Sequence, residues 1–65
     1  MDVIEASAGE LTIRLSRDEA TIINNALNEL CNGFNISDTE LETRIGTSRA
    51  DIRALLSEVN AAIPA

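Results

Sequence analysis

The sequence has no histidine, tryptophan, tyrosine or lysine, and it has one phenylalanine and one cysteine. Without histidine, neither a Ser-His nor a Cys-His nucleophile can be assembled. Without tryptophan or tyrosine, no side chain of those types can stack on a base or planar ligand, and no glycine-rich phosphate loop is present. The alternating acids Asp38, Glu40 and Glu42 do not converge on one point as metal ligands should. We therefore expect no catalytic residue, no metal site, no cofactor and no enzymatic activity.

A lone cysteine excludes an internal disulfide, so nothing suggests an oxidising compartment. Cys31 lies among apolar residues, and we interpret it as buried packing, since free cysteine is among the most buried residue types. No apolar run approaches the length that spans a membrane, and no basic region precedes an apolar run at the start of the sequence. We expect a cytoplasmic protein that makes no contact with a membrane.

Positive charge is scarce: 11 acids stand against 5 arginines, which gives a net charge of −6. That balance opposes approach to nucleic acid or to an anionic membrane surface. The 65 residues are enough for one small domain, near the lower limit at which a single core holds together. An apolar content of 45% favours a globular chain over a disordered one.

The clearest element is a central helix predicted over residues 17–32. Ser16 and Glu19 have the spacing of a capping box, which starts a helix. Asn32-Gly33 predicts its end, with Gly33 in the left-handed conformation that glycine adopts without steric cost. Between these signals an apolar stripe recurs at helical spacing, broad enough to contact more than one neighbouring element.

Three further elements complete an α+β, helix-rich fold in a single domain of residues 1–65. Residues 2–15 predict an N-terminal strand or β-hairpin, residues 38–45 a short helix that stops at Gly46, and residues 49–63 a C-terminal helix. The central helix is expected to pack against both the hairpin and the other helices. The predicted core is Leu11, Ile13, Leu15, Ile23, Leu27, Leu30, Phe34, Leu41, Ile45, Ile52, Leu55, Leu56 and Val59.

The segment from Asp38 to Leu55 resembles a helix-turn-helix DNA-binding unit, with Gly46 in the turn between two short amphipathic helices. In that family the second helix enters the major groove, so the resemblance implies DNA contacts by Ser48, Arg49 and Arg53. Two positions depart from the pattern. Glu42 stands where the helices approach closely and a small residue is usual, and Thr47 stands where a branched apolar residue is usual.

Arg49 and Arg53 share a helix face at a spacing of four and have no acid at helical spacing on their own helix. Either Asp38 or Glu42 reaches across the turn to them, or they await an anionic partner. Asn24 and Asn28, followed by Asn32, run down one side of the central helix although asparagine is a poor helix former. They either satisfy nearby backbone groups or form a polar recognition strip. Asn24, Asn28, Arg49 and Arg53 are thus the candidate partner-binding residues.

Most of the chain also resembles a set of short bacterial proteins that share an NALNE-CNG helix end and a TRIG turn. That resemblance implies a bacterial source and the same fold, and it implies nothing about mechanism. From the residues we expect a non-catalytic, small acidic interaction module that binds a protein partner or itself, as a homodimer. The alternative is a helix-turn-helix DNA-binding transcriptional regulator, which the acidic balance disfavours.

Overall fold

The computed structural model describes residues 1–33 and 35–64, and it confirms an α+β, helix-rich fold with an N-terminal hairpin. The elements are β1 (Asp2–Ala6), β2 (Leu11–Arg14), α1 (Arg17–Asn28), a π-helical turn (Glu29–Gly33), α2 (Asp38–Ile45) and α3 (Arg49–Ala62). None of the helices in these ranges is both long enough and apolar enough to cross a bilayer.

All three α-helices begin at a serine N-cap: Ser16, Ser37 and Ser48. Each serine hydroxyl accepts a hydrogen bond from the backbone N–H three residues later and so satisfies one of the free amides of the first turn. The reciprocal bond of a full capping box forms at Ser16, whose N–H donates to the carboxylate of Glu19 over 2.9 Å. The predicted capping box of α1 is therefore confirmed.

The end of α1 differs from the prediction. Its α-helical hydrogen bonding stops at Asn28, and residues Glu29–Gly33 continue as a π-helical turn. Gly33 does not have a positive φ, so the predicted left-handed stop at Gly33 is wrong. A π turn places its carbonyl groups outside the ordinary helical ladder, and such turns recur at functional positions.

Gly46 ends α2 as predicted, with φ 90° and ψ 9°. Its N–H donates to the carbonyl of Glu42 over 2.8 Å, which is the single hydrogen bond of the left-handed C-terminal motif. The chain then reaches the Ser48 cap within two residues, so α2 and α3 form a tight helical pair.

The hairpin exists, and a β-bulge explains why its first strand alternates poorly in the sequence. Val3 pairs with Ile13 and Ala6 pairs with Leu11, although Val3 and Ala6 are three residues apart. One extra residue in β1, within the irregularity between Val3 and Glu5, shifts the alternation so that Val3 and Ala6 share a face. The pairs on the other face are Asp2 with Arg14 and Glu5 with Thr12.

The core is smaller than predicted and lies among the helices. In the part of the chain that the structure describes, it consists of buried Cys31, Leu41 and Ile52, with Leu27, Leu30, Ile36 and Leu56 packed against them. The expected burial of Cys31 is confirmed. The core prediction is wrong for four residues, which are more than a third exposed: Leu11, Ile23, Ile45 and Leu55. Phe34, also predicted to be in the core, lies outside the described residues.

The helices form one thin layer beside a projecting hairpin. α1 packs against α3, and α3 packs against α2 and the π turn, whereas the described strands come into close backbone contact only with each other. The expected packing of the hairpin along the central helix is therefore wrong. The Cα extents are 35 × 32 × 15 Å and the radius of gyration is 13.2 Å. A compact chain of this length would have a radius of about 11 Å.

We expect Gly46→Ala to lower the free energy of unfolding by about 1 kcal/mol, because it forces a Cβ into the left-handed conformation. Gly33→Ala is the matched control. At Gly33 the three atoms nearest to an added Cβ belong to the carboxyl end of the Glu29 side chain, which can rotate away, and the backbone is not left-handed. Urea unfolding of both variants checks this. An equal loss of stability at Gly33 would show that the π turn is not the structure in solution.

The carboxylate of Glu19 also lies 2.7 Å from the amino group of Met1. That amino group, and next the Ser16 N–H, lower the pKa of Glu19 from 4.5 to about 2. Because the folded pKa lies below the unfolded one, this contribution to stability is present above about pH 5 and is lost as the pH falls toward 2. We expect an NMR titration to find the Glu19 carboxyl midpoint near 2, with Glu19→Gln to assign the signal. A midpoint at the ordinary value would contradict this pairing.

Candidate interaction site

Arg49 is the first residue of α3, and its side chain turns into the junction of the helices. Only 18% of the side chain is exposed. Its Nε donates to the Asp38 carboxylate over 2.7 Å, and its Nη2 donates to the carbonyl of Ile36 over 2.8 Å. Its Nη1 donates to the carbonyls of Leu30 and Cys31 over 3.2 and 2.9 Å. We call this arrangement the Arg49 junction.

The Arg49 junction supplies what the end of α1 lacks. Neither α1 nor the π turn has a basic residue in its last turn, although free carbonyls give that end of a helix a partial negative charge. The guanidinium of Arg49 brings its charge and its donors from another helix. A planar group with five N–H donors can bind several acceptors at once, which a lysine ammonium does less well.

The sequence left two interpretations of Arg49 and Arg53: an acid reaches them across the turn, or they await an anionic partner. The first is confirmed for Arg49, which pairs with Asp38. Its guanidinium is bonded within the chain, so Arg49 is not part of the surface that we propose for a partner. Arg53 is exposed and makes no hydrogen bond or ion pair with the residues that the structure describes. The sequence did contain a signal for the junction. A positive charge at the start of α3 interacts unfavourably with the dipole of that helix, so Arg49 must be placed there for a different interaction.

The side chains of Asn24 and Asn28 form hydrogen bonds with other asparagine side chains rather than with backbone groups. Asn24 accepts a hydrogen bond from the Asn60 side chain over 3.2 Å, which links α1 to α3. Asn28 accepts one from Asn32 over 3.0 Å along the same helix. Asn24 is half-buried in this link and Asn28 is exposed, so the structure separates the two residues that the sequence grouped.

Most of the residues to which the helix-turn-helix resemblance assigns DNA contacts make contacts inside the chain. Leu41 of α2 and Ile52 of α3 are buried in the core. The Ser48 hydroxyl is used as an N-cap, and Arg49 is used in the junction. Of the three residues to which the resemblance assigns DNA contacts, only Arg53 is exposed.

An apolar groove with a volume of about 410 Å³ lies between the base of the hairpin and the C-terminal end of α3. Ile13 and Leu15 form one wall, and the opposite wall comes from α3 and the start of α1. The groove is lined by Ile13, Leu15, Ser16, Arg17, Ala20, Val59, Ala62, Ile63 and Pro64. Sequence reasoning missed the groove because three of its lining residues, Ile13, Leu15 and Val59, were expected to lie in the core.

The groove continues onto the hairpin. Leu11 and Ile13 of β2 point to one face, which their partners Ala6 and Val3 of β1 share, and Leu15 continues the same alternation just after β2. This face is open along its length: Leu11, at the turn end, is 61% exposed, and Val3, which pairs with Ile13 at the groove end, is 60% exposed. We call the surface from Leu11 and Val3 to the walls of the groove the apolar strip.

Comparison of the chain with protein-family models, with curated proteins and with solved structures finds no significant match. The resemblance to short bacterial proteins, and the bacterial source that it implies, stay predictions. The function is therefore argued from the geometry alone.

We expect Arg49→Ala to lower the free energy of unfolding by about 2 to 4 kcal/mol, because it leaves several partly buried carbonyls without a donor. Arg49→Lys keeps the charge but cannot reach all four acceptors, and should fall between Arg49→Ala and the wild type. Arg53→Ala removes an exposed arginine from the same helix and should change stability by less than about 0.5 kcal/mol. Thermal and urea unfolding measure all three. Equal effects at Arg49 and Arg53 would contradict the junction.

Proposed function

We propose that this chain is a non-catalytic, small acidic interaction module that binds a protein, and that the protein is a second copy of itself. A globular protein of 7.0 kDa is expected to expose about 4,040 Å². This chain exposes 4983 Å², an excess of about 900 Å². That excess is the observation that carries the proposal, because a specific interface covers about 800 Å² on each partner.

The exposed surface also has the composition of a protein interface. Large apolar side chains are open on the hairpin, at Val3, Ile4 and Leu11, and on α1, at Ile22. Covering such side chains with another apolar surface gains roughly 25 cal/mol for each Å² removed from water. A small chain whose described residues include three buried core side chains gains a large share of its stability this way.

We place the module in the cytoplasm, on the argument that its one cysteine, Cys31, is a free thiol in the core. Membranes and nucleic acids are disfavoured as partners because of the net charge of −6.

The alternative, a DNA-binding regulator, is supported by one observation: α2 and α3 are joined by a short turn at Gly46 and pack through Leu41 and Ile52. A groove-binding helix needs free positive charge on its outer face. Here Arg49 is bonded inward, and α2 brings Asp38, Glu40 and Glu42 beside α3. We therefore favour the interaction module.

Sedimentation tests both functions in one experiment. We expect the protein alone to sediment as a dimer at micromolar concentration, and duplex DNA fragments at low salt to leave its sedimentation unchanged. Binding to DNA that weakens steeply with salt and is lost in Arg53→Ala would favour the regulator. Arg53→Ala is preferred to an Arg49 variant, because loss of Arg49 also disturbs the fold.

A monomer at all concentrations would contradict self-association and leave a different protein as the partner. A pull-down from nuclease-treated host lysate then decides whether the module binds a protein at all. A monomer that also captures no protein would contradict the proposed function as a whole.

A further inference from the structure

We infer that the apolar groove is filled by the hairpin of a second copy of this chain, in a two-fold dimer whose apolar strips face each other. Each copy places the outer end of its hairpin, at Leu11, in the groove of the other. This inference rests on the proposed self-association and assigns it a surface.

The paired residues on the two faces of the hairpin differ in polarity. On one face the register places Val3 opposite Ile13 and Ala6 opposite Leu11. On the other it places Asp2 opposite Arg14 and Glu5 opposite Thr12. A two-stranded hairpin with one apolar face is only marginally stable unless that face is covered. The charged strand residues lie on the far face, so two copies can bring the apolar faces together without opposing those acids.

The strip contains both a projection and a depression. Leu11 lies at the outer end of the strip, where no helix covers it, and the groove lies at the inner end, beyond Ile13 and Leu15. In a two-fold interface the same patch is used by both copies, so a projection on one copy must meet a depression at the corresponding place on the other. The apolar strip meets that requirement, because Leu11 at one end is the projection and the groove at the other end is the depression.

The edge of the hairpin is a weaker candidate for pairing than its face. A bare edge strand can add a strand from another chain, and a β-bulge is one of the ways in which proteins prevent this. β1 carries such an irregularity between Val3 and Glu5, and β2 is only four residues long. Packing through the face leaves the bulge free and uses the apolar side chains.

The area and the shape agree with one added layer. The surplus surface of about 900 Å² matches the roughly 800 Å² that one partner contributes to a standard interface. The chain is only 15 Å thick between its outermost Cα atoms, whereas domains are built from at least two packed layers around a core. A second copy supplies the missing layer.

Leu11→Glu and Ile22→Glu form a matched pair for the test. Both replace an exposed aliphatic residue, 61% and 68% exposed, and both add one negative charge. Leu11 lies on the apolar strip and Ile22 lies on α1 outside the groove. We expect Leu11→Glu to raise the dimer dissociation constant at least 100-fold and Ile22→Glu to change it less than threefold. Circular dichroism checks that each variant keeps its helices.

Cross-linking tests the seating of the hairpin in the groove. A chain with Leu11→Cys is mixed with a chain carrying Ala62→Cys, on the groove wall, and oxidised. We expect a mixed disulfide, and none when Ile22→Cys replaces Ala62→Cys; the native Cys31 is buried and stays out of the reaction.

The outcomes separate the inference from the proposed function. A wild-type dimer that survives Leu11→Glu but dissociates in Ile22→Glu overturns the inference and leaves self-association standing. Cross-linking through Ile22→Cys and not through Ala62→Cys does the same. A wild-type monomer overturns both the inference and self-association.

Discussion

The hydrogen bonds of one side chain, Arg49, hold the ends of the helices in place. Within residues 1–33 and 35–64 the buried apolar side chains are Cys31, Leu41 and Ile52, a small core to fix how three helices meet. The guanidinium of Arg49, at the start of α3, joins the π turn, the connection to α2 and the first residue of α2. The Arg49 junction therefore fixes the relative positions of the helices, which a larger core would otherwise fix. The positive charge of Arg49 is unfavourable at the start of its own helix but stabilises the end of α1.

The starts of the helices could be predicted from the sequence, and the end of α1 could not. A serine cap acts on an amide three residues away, so its effect is visible in a short window of sequence. Gly46 is equally local, because its left-handed backbone and its bond to Glu42 involve neighbouring residues only. The end of α1 is instead completed by Arg49, 18 residues beyond Cys31. A short stretch of sequence around Asn32-Gly33 does not include Arg49, so it cannot predict how α1 ends.

The sequence predicted which residues form the apolar face of β2, but not that this face is exposed. Alternation along β2 correctly identifies Leu11, Ile13 and Leu15 as one face. It cannot say whether that face is covered, because cover comes from elements elsewhere in the chain or in another chain. β1 failed the same rule, since one extra residue within the bulge reverses the alternation midway. For the candidate site, sequence patterns named Arg49 but not its carbonyl acceptors, and they named no residue of the groove as a site.

The Arg49 junction also fixes the lengths of the connections in this chain. Its acceptors lie 19, 18, 13 and 11 residues before Arg49, at Leu30, Cys31, Ile36 and Asp38. Adding or removing a residue between α1 and α2, or between α2 and α3, would move those acceptors out of reach of a single guanidinium. A diverged chain with the same architecture is therefore defined by these intervals and by an arginine directly after the third serine cap. The apolar residues between them can change freely by comparison, because mainly their volume matters.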